Sequence, residues 1–361
     1  MGVHLYVGVH RLAGAFVGSK LPHSQNSFYN PTVEIHIGTS GWSYPEWIGP
    51  FYPRGTGRAK LLEAYSAVFD AAEVNSTYYR LPGAKTVEGW VEKTGGRMIF
   101  AVKLPKELTH AGSPVAGSAD AGWEVDAAVE RAAEAVRQCV APLADAGALG
   151  CLLAQFPSSF HRNRENSRYL GWLRGALKEF PLVVEFRNDE WIRPEILKWL
   201  ADTGTGFACV DQPRLAGLAP PFFLATGETG YVRMHGRNSA NWWTGDNVTR
   251  YEYDYSDAEL NEWADVVRRA IQNFGGGTSQ SRKEADSSET SASAIPLDAD
   301  AEVFLKERKV FDWDRTLGVE SSMTEARAML KKIFFFYNNH SHAYAAKNAL
   351  RFREMMMEES R

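Results

Sequence analysis

Short apolar segments that end in polar or charged residues recur along the chain. Leu182 to Arg187 is rich in β-branched residues, follows Pro181 and ends in two opposite charges. This pattern is typical of a buried strand. Because side chains alternate across a strand, Val183, Glu185 and Arg187 share one face. Glu and Arg are seldom buried without a partner, so we expect these two to contact each other or a ligand.

Seven other segments share this design, and helical or loop segments separate most of them. Strands that alternate with helices predict parallel pairing, and eight such units predict an α/β fold, a closed (β/α)8 TIM barrel. The active site of that fold lies at the carboxyl ends of the strands, where the polar residues stand. The seven segments are Ile35 to Ser40, Ala71 to Asn75, Met98 to Lys103, Gly150 to Gln155, Gly206 to Asp211, Tyr231 to His235 and Ile333 to Asn339.

Apolar positions at helical spacing predict the segments between the strands. Two of these helices have capping-box signatures, Ser256 with Glu259 and Ser322 with Glu325. The predicted helices are Arg58 to Val68, a short one around Trp90, Trp123 to about Val140, Tyr169 to Phe180, Trp191 to Ala201, Ser256 to about Ile271, Ser322 to Lys332 and Ala343 to about Met357.

Two stretches are not part of the predicted barrel: one precedes the barrel domain of residues 34–358, and the other interrupts it. Residues 1–33 contain no acidic residue and are predicted to form a disordered extension, with a weak similarity to a mitochondrial transit peptide. Residues at about 275–320 read as an insertion, and its first part is a Ser, Ala and Thr-rich stretch without aromatics. Such a composition buries too little apolar area to order itself, so a disordered insertion is predicted before the last strand.

Composition narrows the classes of function. The 361 residues carry a formal net charge of −4, and this disfavours a protein that binds nucleic acid through a generally basic surface. Cys139, Cys151 and Cys209 lack metal-ligand spacing and favour a reducing, cytoplasmic location. No apolar run is long enough to span a membrane, so no membrane partner is expected.

Polar residues from all parts of the chain are expected to meet at the mouth of the barrel. Glu185, Asp211 and His235 are the predicted catalytic residues, because two nearby carboxylates can serve as acid and base and His can move protons. Three cations face the two carboxylates, which suits a phosphate or carboxylate group. The predicted substrate-binding residues are Trp42, Asn75, Thr77, Tyr78, Lys103, Gln155, Arg187, Arg233, Asn338 and Asn339.

Plainer interpretations of the same residues remain open. Glu185 could pair with Arg187 inside the barrel, and Asp211 could pair with Arg233. Glu185, Asp211 and His235 could instead hold a divalent metal, although the neighbouring cations would repel it, so no cofactor is predicted. Aromatic residues on the exit loops could stack a base or a sugar ring, or could cover the barrel as ordinary packing.

Several motifs together resemble the YecE-like family, known as domain of unknown function 72. They cover residues 34–352 and are Gly38 to Tyr44, Phe51 to Pro53, Glu73 to Tyr79, Phe100 to Lys103, Gln155 to Pro157, Val184 to Arg187, Tyr231 to Gly236, Tyr337 to His340 and Asn348 to Leu350. The resemblance implies a TIM barrel and no settled activity. This chain departs from the family pattern in having Asn188 where His is common and a long link at residues 275–331.

The sequence therefore favours an enzyme, such as a hydrolase or lyase, that acts on a small anionic, phosphate-containing or nucleotide-like molecule. Glu185 and Asp211 would do acid–base chemistry, and Lys103, Arg187 and Arg233 would hold the anion. One alternative is a non-catalytic protein that binds a nucleotide or nucleic acid. Another is a glycosidase-like hydrolase, with Glu185 and Asp211 as its two carboxylates.

Overall fold

The structure, a computed structural model, describes residues 33–110, 115–116, 124–246, 248–274, 294–310 and 330–358. All eight predicted strands are present. They are β1 (Glu34–Ser40), β2 (Ala71–Val74), β3 (Ile99–Lys103), β4 (Leu149–Phe156), β5 (Leu182–Phe186), β6 (Gly206–Asp211), β7 (Thr229–Met234) and β8 (Lys332–Tyr337).

The eight strands form one closed barrel in which neighbours along the chain are neighbours in the sheet. Every pairing in the barrel is parallel, and β1 closes the ring by pairing with β8, with Ile37 opposite Phe335. The prediction of a (β/α)8 TIM barrel is therefore confirmed. Because all strands run the same way, their carboxyl ends meet at one mouth.

Apolar side chains fill the lower part of the barrel interior. This small cluster includes Cys151, Val183 and Tyr231, and the two rings of Phe334 and Phe336 stack within it. A Cβ atom at Gly150 would lie 2.6 Å from the ring of Phe334, so only glycine fits beside that ring. The filled lower interior leaves the inward-facing polar residues to the upper strand ends.

Helices cover the outside of the barrel, largely where the sequence predicts them. They are α1 (Leu61–Ser66), α2 (Ala84–Thr94), α3 (Ala127–Asp145), α4 (Arg164–Ala176), α5 (Pro194–Asp202), α6 (Asp257–Phe274), α7 (Ala299–Glu307) and α8 (Tyr344–Glu358). The predicted capping box of α6 is present, because Ser256 Oγ accepts from the backbone N–H of Glu259 and the Glu259 carboxylate accepts from that of Ser256. Helix α4 begins five residues before its predicted start because Asn163 caps it.

Part of the predicted insertion covers the barrel at a place that lacks a helix of its own. The connection from β6 to β7 holds a short strand, Phe222–Leu224, instead of a helix. Ala294–Pro296 pairs antiparallel with that strand, and the following helix α7 stacks Phe304 on Phe222. The composition that predicts disorder ends at about residue 294, and residues 295–320 are ambiguous from the sequence; the structure gives residues 294–310 a strand and a helix. Arg308 also donates from Nη1 to the backbone carbonyl of Asp189 at 2.8 Å, which ties this segment to the loop after β5.

Some predictions fall on residues that the structure does not describe. They are the extension at residues 1–32, the low-complexity stretch at 275–293 and the helix that Ser322 would begin. The three cysteines are described, and all are buried and free. Of the helices in the described ranges, none has the length and apolar character needed to cross a membrane.

Candidate functional site

Alternation along the strands decides which polar side chains reach the mouth of the barrel. On β7, Val232 and Met234 pack outward into the main core, so Tyr231, Arg233 and His235 face inward. The same parity turns seven more polar residues inward near the strand ends. They are Ser40, Glu73, Lys103, Gln155, Glu185, Arg187 and Asn338.

A fully buried guanidinium stands at the centre of this group. Arg233 donates from Nε and Nη2 to the two carboxylate oxygens of Glu73 at 2.8 and 2.7 Å, and from Nη1 to Glu185 Oε2 at 2.6 Å. Burial alone would lower the pKa of Arg233, but the two carboxylates outweigh burial and hold the pKa well above its usual value. Arg233 thus stays charged and joins two carboxylates from opposite sides of the barrel.

The carboxylate of Glu185 is held between two arginines. Its Oε1 lies 2.6 Å from Arg187 Nε, so the predicted pairing of these two residues inside the barrel is present. Burial would raise the pKa of Glu185, yet Arg187 and Arg233 overcome that effect and lower the pKa well below its usual value. Glu185 is therefore ionised at neutral pH and is poorly suited to be a general acid.

Glu73 is a member of the site that sequence reasoning missed. Besides Arg233, it accepts hydrogen bonds from Ser40 Oγ and Tyr231 OH, each at 2.7 Å. It lies inside the apolar segment of β2, whereas the pattern of polar strand ends points to the exit residue Asn75. The available signal was parity: in a strand buried on both faces, a lone Glu needs an internal partner.

The ammonium of Lys103 lies at the accessible side of the cluster. Its Nζ donates to Gln155 Oε1 at 2.8 Å and lies 4.6 Å from the centre of the Tyr78 ring. Among the described residues no carboxylate lies within 4.0 Å of this nitrogen. Burial and the charge of Arg233 lower the pKa of Lys103 to about 7, against the opposing effect of the two Glu residues.

A chain of polar contacts connects Arg187 with the ends of β8 and β2. Arg187 Nη2 lies 3.0 Å from His235 Nε2, Asn338 lies 3.1 Å from His235 Nδ1, and Asn75 lies 3.4 Å from Asn338. Burial and the charge of Arg187 lower the pKa of His235 to about 3. The imidazole is thus neutral at pH 7 and accepts a hydrogen bond from Arg187, instead of carrying protons near neutrality as the sequence suggested.

Asp211 does not reach the mouth, and its predicted partnership with Glu185 is wrong. Its carboxylate turns outward from β6 and accepts from Arg237 Nη2 at 2.8 Å, from Tyr255 OH at 2.8 Å and from Trp263 Nε1 at 2.7 Å. On β6 the small residues face the barrel interior, so the residues that alternate with them, including Asp211, face the helices. Asp211 therefore joins the barrel to α6 and pairs with Arg237, not with Arg233.

Three predicted substrate-binding residues have structural partners elsewhere. Trp42 packs edge-on against Trp90 and Phe100 on the outside of the barrel. Thr77 is buried and donates to the backbone carbonyl of Lys103 at 2.7 Å, so it fixes the end of β3. Asn339 donates to the Tyr253 backbone carbonyl at 2.7 Å, behind the strand end. By contrast, Asn75, Tyr78, Lys103, Gln155, Arg187, Arg233 and Asn338 come together.

The metal alternative finds no matching cluster in the described ranges. No group of three or more His, Cys, Asp or Glu residues is gathered there in an arrangement that could hold a metal ion. Glu185 and His235 face the interior, where Glu185 Oε1 lies 3.5 Å from His235 Nε2, whereas Asp211 faces the helices. The three residues that the sequence offered as ligands are thus on different sides of the barrel wall.

Aromatic residues border the mouth at two depths. Trp242 is buried, and the guanidinium of Arg187 lies 5.9 Å from its ring centre. Tyr79 and Trp243, on two different exit loops, are 68% and 62% exposed. A ligand that extends beyond the charged cluster would therefore find rings with free faces.

Comparisons with known proteins agree on one family. The model of the family described as "Protein of unknown function DUF72" matches residues 36–284. The UPF0759 protein YunF of Bacillus subtilis is 30% identical over 240 residues, which are 63% of this chain and 81% of YunF. The UPF0759 protein YecE of Escherichia coli K12 is 34% identical over 76 residues, which are 21% of this chain and 25% of YecE.

Solved structures give the same picture at the level of the fold. A DUF72 family protein from Thermotoga maritima superposes with a TM-score of 0.64 at 28% identity, over 90% of this chain and all of that one. A DUF72 family protein from Enterococcus faecalis superposes with a TM-score of 0.63 at 20% identity, over 90% of this chain and 95% of the other. The second similarity concerns the fold alone.

Proposed function

Because this chain belongs to the DUF72 family, whose description assigns no activity, we propose a function from its own site: an enzyme that acts on a small organic anion at the barrel mouth. Lys103 and Arg187 hold the phosphate or carboxylate of that anion. Beneath the anion lies a rigid support, the buried ion pairs of Arg233 with Glu73 and Glu185. The observation that carries the proposal is the charge balance of this cluster.

Three cations meet only two carboxylates in the cluster. Glu73 and Glu185 both bind Arg233, and Glu185 also binds Arg187. Lys103 has only a neutral amide as its hydrogen-bond acceptor among the described residues. With Lys103 protonated, the cluster carries one surplus positive charge, and a bound anion would neutralise it.

Arg187 is well prepared to bind an anion. Its Nε lies 2.6 Å from the Glu185 carboxylate as an ion pair and its Nη2 lies 3.0 Å from His235 Nε2, so two contacts hold the guanidinium in place. Within the described residues Nη1 has no hydrogen-bond partner, and the side chain is 14% exposed. A planar donor held in place before binding loses little entropy when it meets a carboxylate or phosphate.

The catalytic assignment changes with this geometry. Glu185 is ionised and buried between arginines, so it positions Arg187 and Arg233 rather than exchanging protons. Lys103 has a pKa of about 7 and faces the mouth, so it can take up or release a proton near neutral pH. We assign the acid–base step to Lys103, with His235 as a neutral hydrogen-bond acceptor that orients Arg187.

The exposed rings favour a second candidate, a nucleotide-binding function without catalysis. Tyr79 and Trp243 could stack a base while Arg187 holds its phosphate. Steep salt dependence of binding to an oligonucleotide, with no turnover, would favour this candidate. A glycosidase gains no support, because Asp211 faces the helices and Glu185 has a lowered pKa, whereas that chemistry needs a protonated carboxyl.

Isothermal titration calorimetry with inorganic phosphate and with pyruvate tests the proposal. The wild-type chain is compared with Lys103→Met and Arg187→Met, and Lys106→Met is the matched control on the exposed turn after β3. We expect each mouth variant to weaken binding at least about tenfold, since each removes one charged hydrogen bond. Binding that is unchanged in both mouth variants, or absent from the wild-type chain, would overturn the proposed anion site.

A further inference from the structure

We propose that Lys103 is a covalent nucleophile whose amine condenses with the ketone or aldehyde carbonyl of a 2-oxo acid to form a Schiff base. This inference rests on the proposed function and names the substrate class of the same site. The requirement is an amine that is accessible, unprotonated near neutral pH and close to a group that can hold the substrate's carboxylate.

The position of Lys103 satisfies the first condition. It is the last residue of β3, at the carboxyl end where barrel enzymes carry their reacting groups. The side chain is partly buried, and Thr77 fixes the backbone beneath it. The amine therefore faces the mouth from a rigid strand end and not from a mobile surface chain.

Within the part of the chain that the structure describes, the amine of Lys103 makes no ion pair. Its acceptor there is Gln155 Oε1, a neutral amide oxygen, which also lies 3.4 Å from Arg233 Nη1. The two nearby carboxylates, Glu73 and Glu185, are both bound by Arg233. An amine with a neutral acceptor can lose its proton without leaving a buried carboxylate unpaired.

The charges that face Lys103 act in both directions. Glu73 and Glu185 favour its protonated form, whereas burial, Arg233 and Arg187 disfavour it, and the outcome is a pKa of about 7. On the loop side, burial and Lys103 lower the pKa of the half-buried His110 to about 4, so His110 is neutral and adds no charge. The amine thus loses its proton near neutral pH, where an ordinary lysine, whose pKa is about 10.4, stays protonated.

The proposed step balances without any further reactant. The lone pair of the neutral amine attacks the carbonyl carbon, a C–N bond forms, and the carbonyl oxygen takes up the proton that leaves nitrogen. The resulting carbinolamine loses its hydroxyl group as water when a second proton, which comes from the remaining N–H through solvent, completes that water molecule. One amine and one carbonyl thus give one imine and one water, with no change in oxidation state.

Arg187 meets the third condition, because its guanidinium can bind the substrate carboxylate that lies next to the carbonyl. It extends from the end of β5, Lys103 extends from β3, and Gln155 lies on the strand between them. A carboxylate bound by Arg187 would leave the adjacent carbonyl facing the mouth cluster. Because a 2-oxo acid carries these two groups on neighbouring carbons, it matches a site with one anchor and one amine.

Reductive trapping followed by peptide mapping tests the inference. The full chain is incubated at pH 7 with pyruvate or glyoxylate and sodium cyanoborohydride, and modified lysines are located by mass spectrometry. We expect Lys103 to be modified at least about tenfold faster than Lys106, because the lowered pKa of Lys103 leaves its amine able to react near neutral pH. Lys103→Arg, which keeps the charge, should lose this adduct, and Lys106→Arg should retain it. The wild-type map alone decides the matter if Lys103→Arg fails to fold.

A neutral aldehyde separates the two roles in the site. Arg187→Met should slow trapping of pyruvate at Lys103 by a clearly larger factor than trapping of propionaldehyde, because the Arg187 charge lowers the pKa of Lys103 for both probes but binds only the carboxylate. Equal modification of Lys103 and Lys106, or no modification of Lys103 although calorimetry detects pyruvate, would overturn the Schiff base and leave the anion site standing. Failure of the wild-type chain to bind either pyruvate or phosphate would overturn the proposed function itself.

Discussion

Arg233 and Glu73 form a bidentate ion pair at the centre of the barrel, with nitrogen–oxygen distances of 2.8 and 2.7 Å, and both side chains are buried. The remaining nitrogen of Arg233 binds Glu185 across the interior. This contact joins β2, β5 and β7 through one side chain. This buried contact supports the accessible groups of the mouth from below.

Replacement of Arg233 by Met should strongly destabilise the protein. The change leaves the buried carboxylate of Glu73 without its bidentate partner and leaves that of Glu185 with Arg187 but without Arg233, for which the expected loss in the free energy of unfolding is about 3–5 kcal/mol. Arg162→Met is the control, because Arg162 and Glu195 are both exposed and lie 3.7 Å apart, and the loss should stay below about 1 kcal/mol. Urea unfolding measures both values, and equal losses would contradict the central role of Arg233.

Asp211→Asn should reduce stability and leave anion binding intact. The variant removes the charge that pairs with Arg237, and it replaces with a donor one of the two acceptor oxygens, of which Oδ1 serves Tyr255 and Oδ2 serves Trp263. We expect a loss of at least about 2 kcal/mol in the free energy of unfolding. Calorimetry with phosphate on the folded variant should give an affinity within about twofold of the wild-type value. A folded variant that no longer binds phosphate would contradict this prediction and indicate that Asp211 takes part in anion binding.

The lowered pKa of Lys103 predicts a dependence of stability on pH. Between about pH 7 and 10.4 the unfolded chain keeps the proton on Lys103 and the folded chain has lost it, so the free energy of unfolding rises with pH in this window. Below about pH 7 Lys103 is protonated in both the folded and the unfolded chain, so it adds no pH dependence to the free energy of unfolding there. Urea unfolding across the window should show the rise in the wild-type chain relative to Lys103→Met. Lys106→Met should keep the wild-type slope, and a flat difference between the wild-type chain and Lys103→Met would contradict the prediction.

His235 should remain neutral through the physiological range. Burial and the charge of Arg187 lower its pKa to about 3, far below the usual value near 6.5. Nuclear magnetic resonance of the imidazole should therefore detect no titration of His235 between about pH 5 and 8. The signal is assigned by its absence from His235→Asn. A titration midpoint near 6.5 would make His235 a proton carrier after all.

Strand parity explains which parts of the site could be predicted from the sequence. Glu185 and Arg187 follow an apolar run on one face, so their shared direction was evident and their pairing is present. On β6 both faces are apolar, so the pattern does not tell inside from outside, and Asp211 turned out to face α6. Glu73 was overlooked because it stands within a strand and not at its end.

Helix α7 shows a second limit of sequence reasoning. The stretch before it lacks aromatics and is rich in Ser and Thr, which predicts disorder, and the sequence of residues 295–320 favours neither order nor disorder. Yet Ala294–Pro296 pairs with the strand after β6, and Phe304 stacks on Phe222. A short segment that gains its order only from a distant surface carries no strong local signal.

A crystal structure of the chain grown with saturating phosphate or sulfate is the most direct test of the proposed anion site. It should contain one anion at the barrel mouth, within hydrogen-bond distance of Lys103 Nζ and Arg187 Nη1, above the pair formed by Arg233 and Glu73. An empty mouth in that crystal, or an anion bound only on the outer surface, would contradict the account.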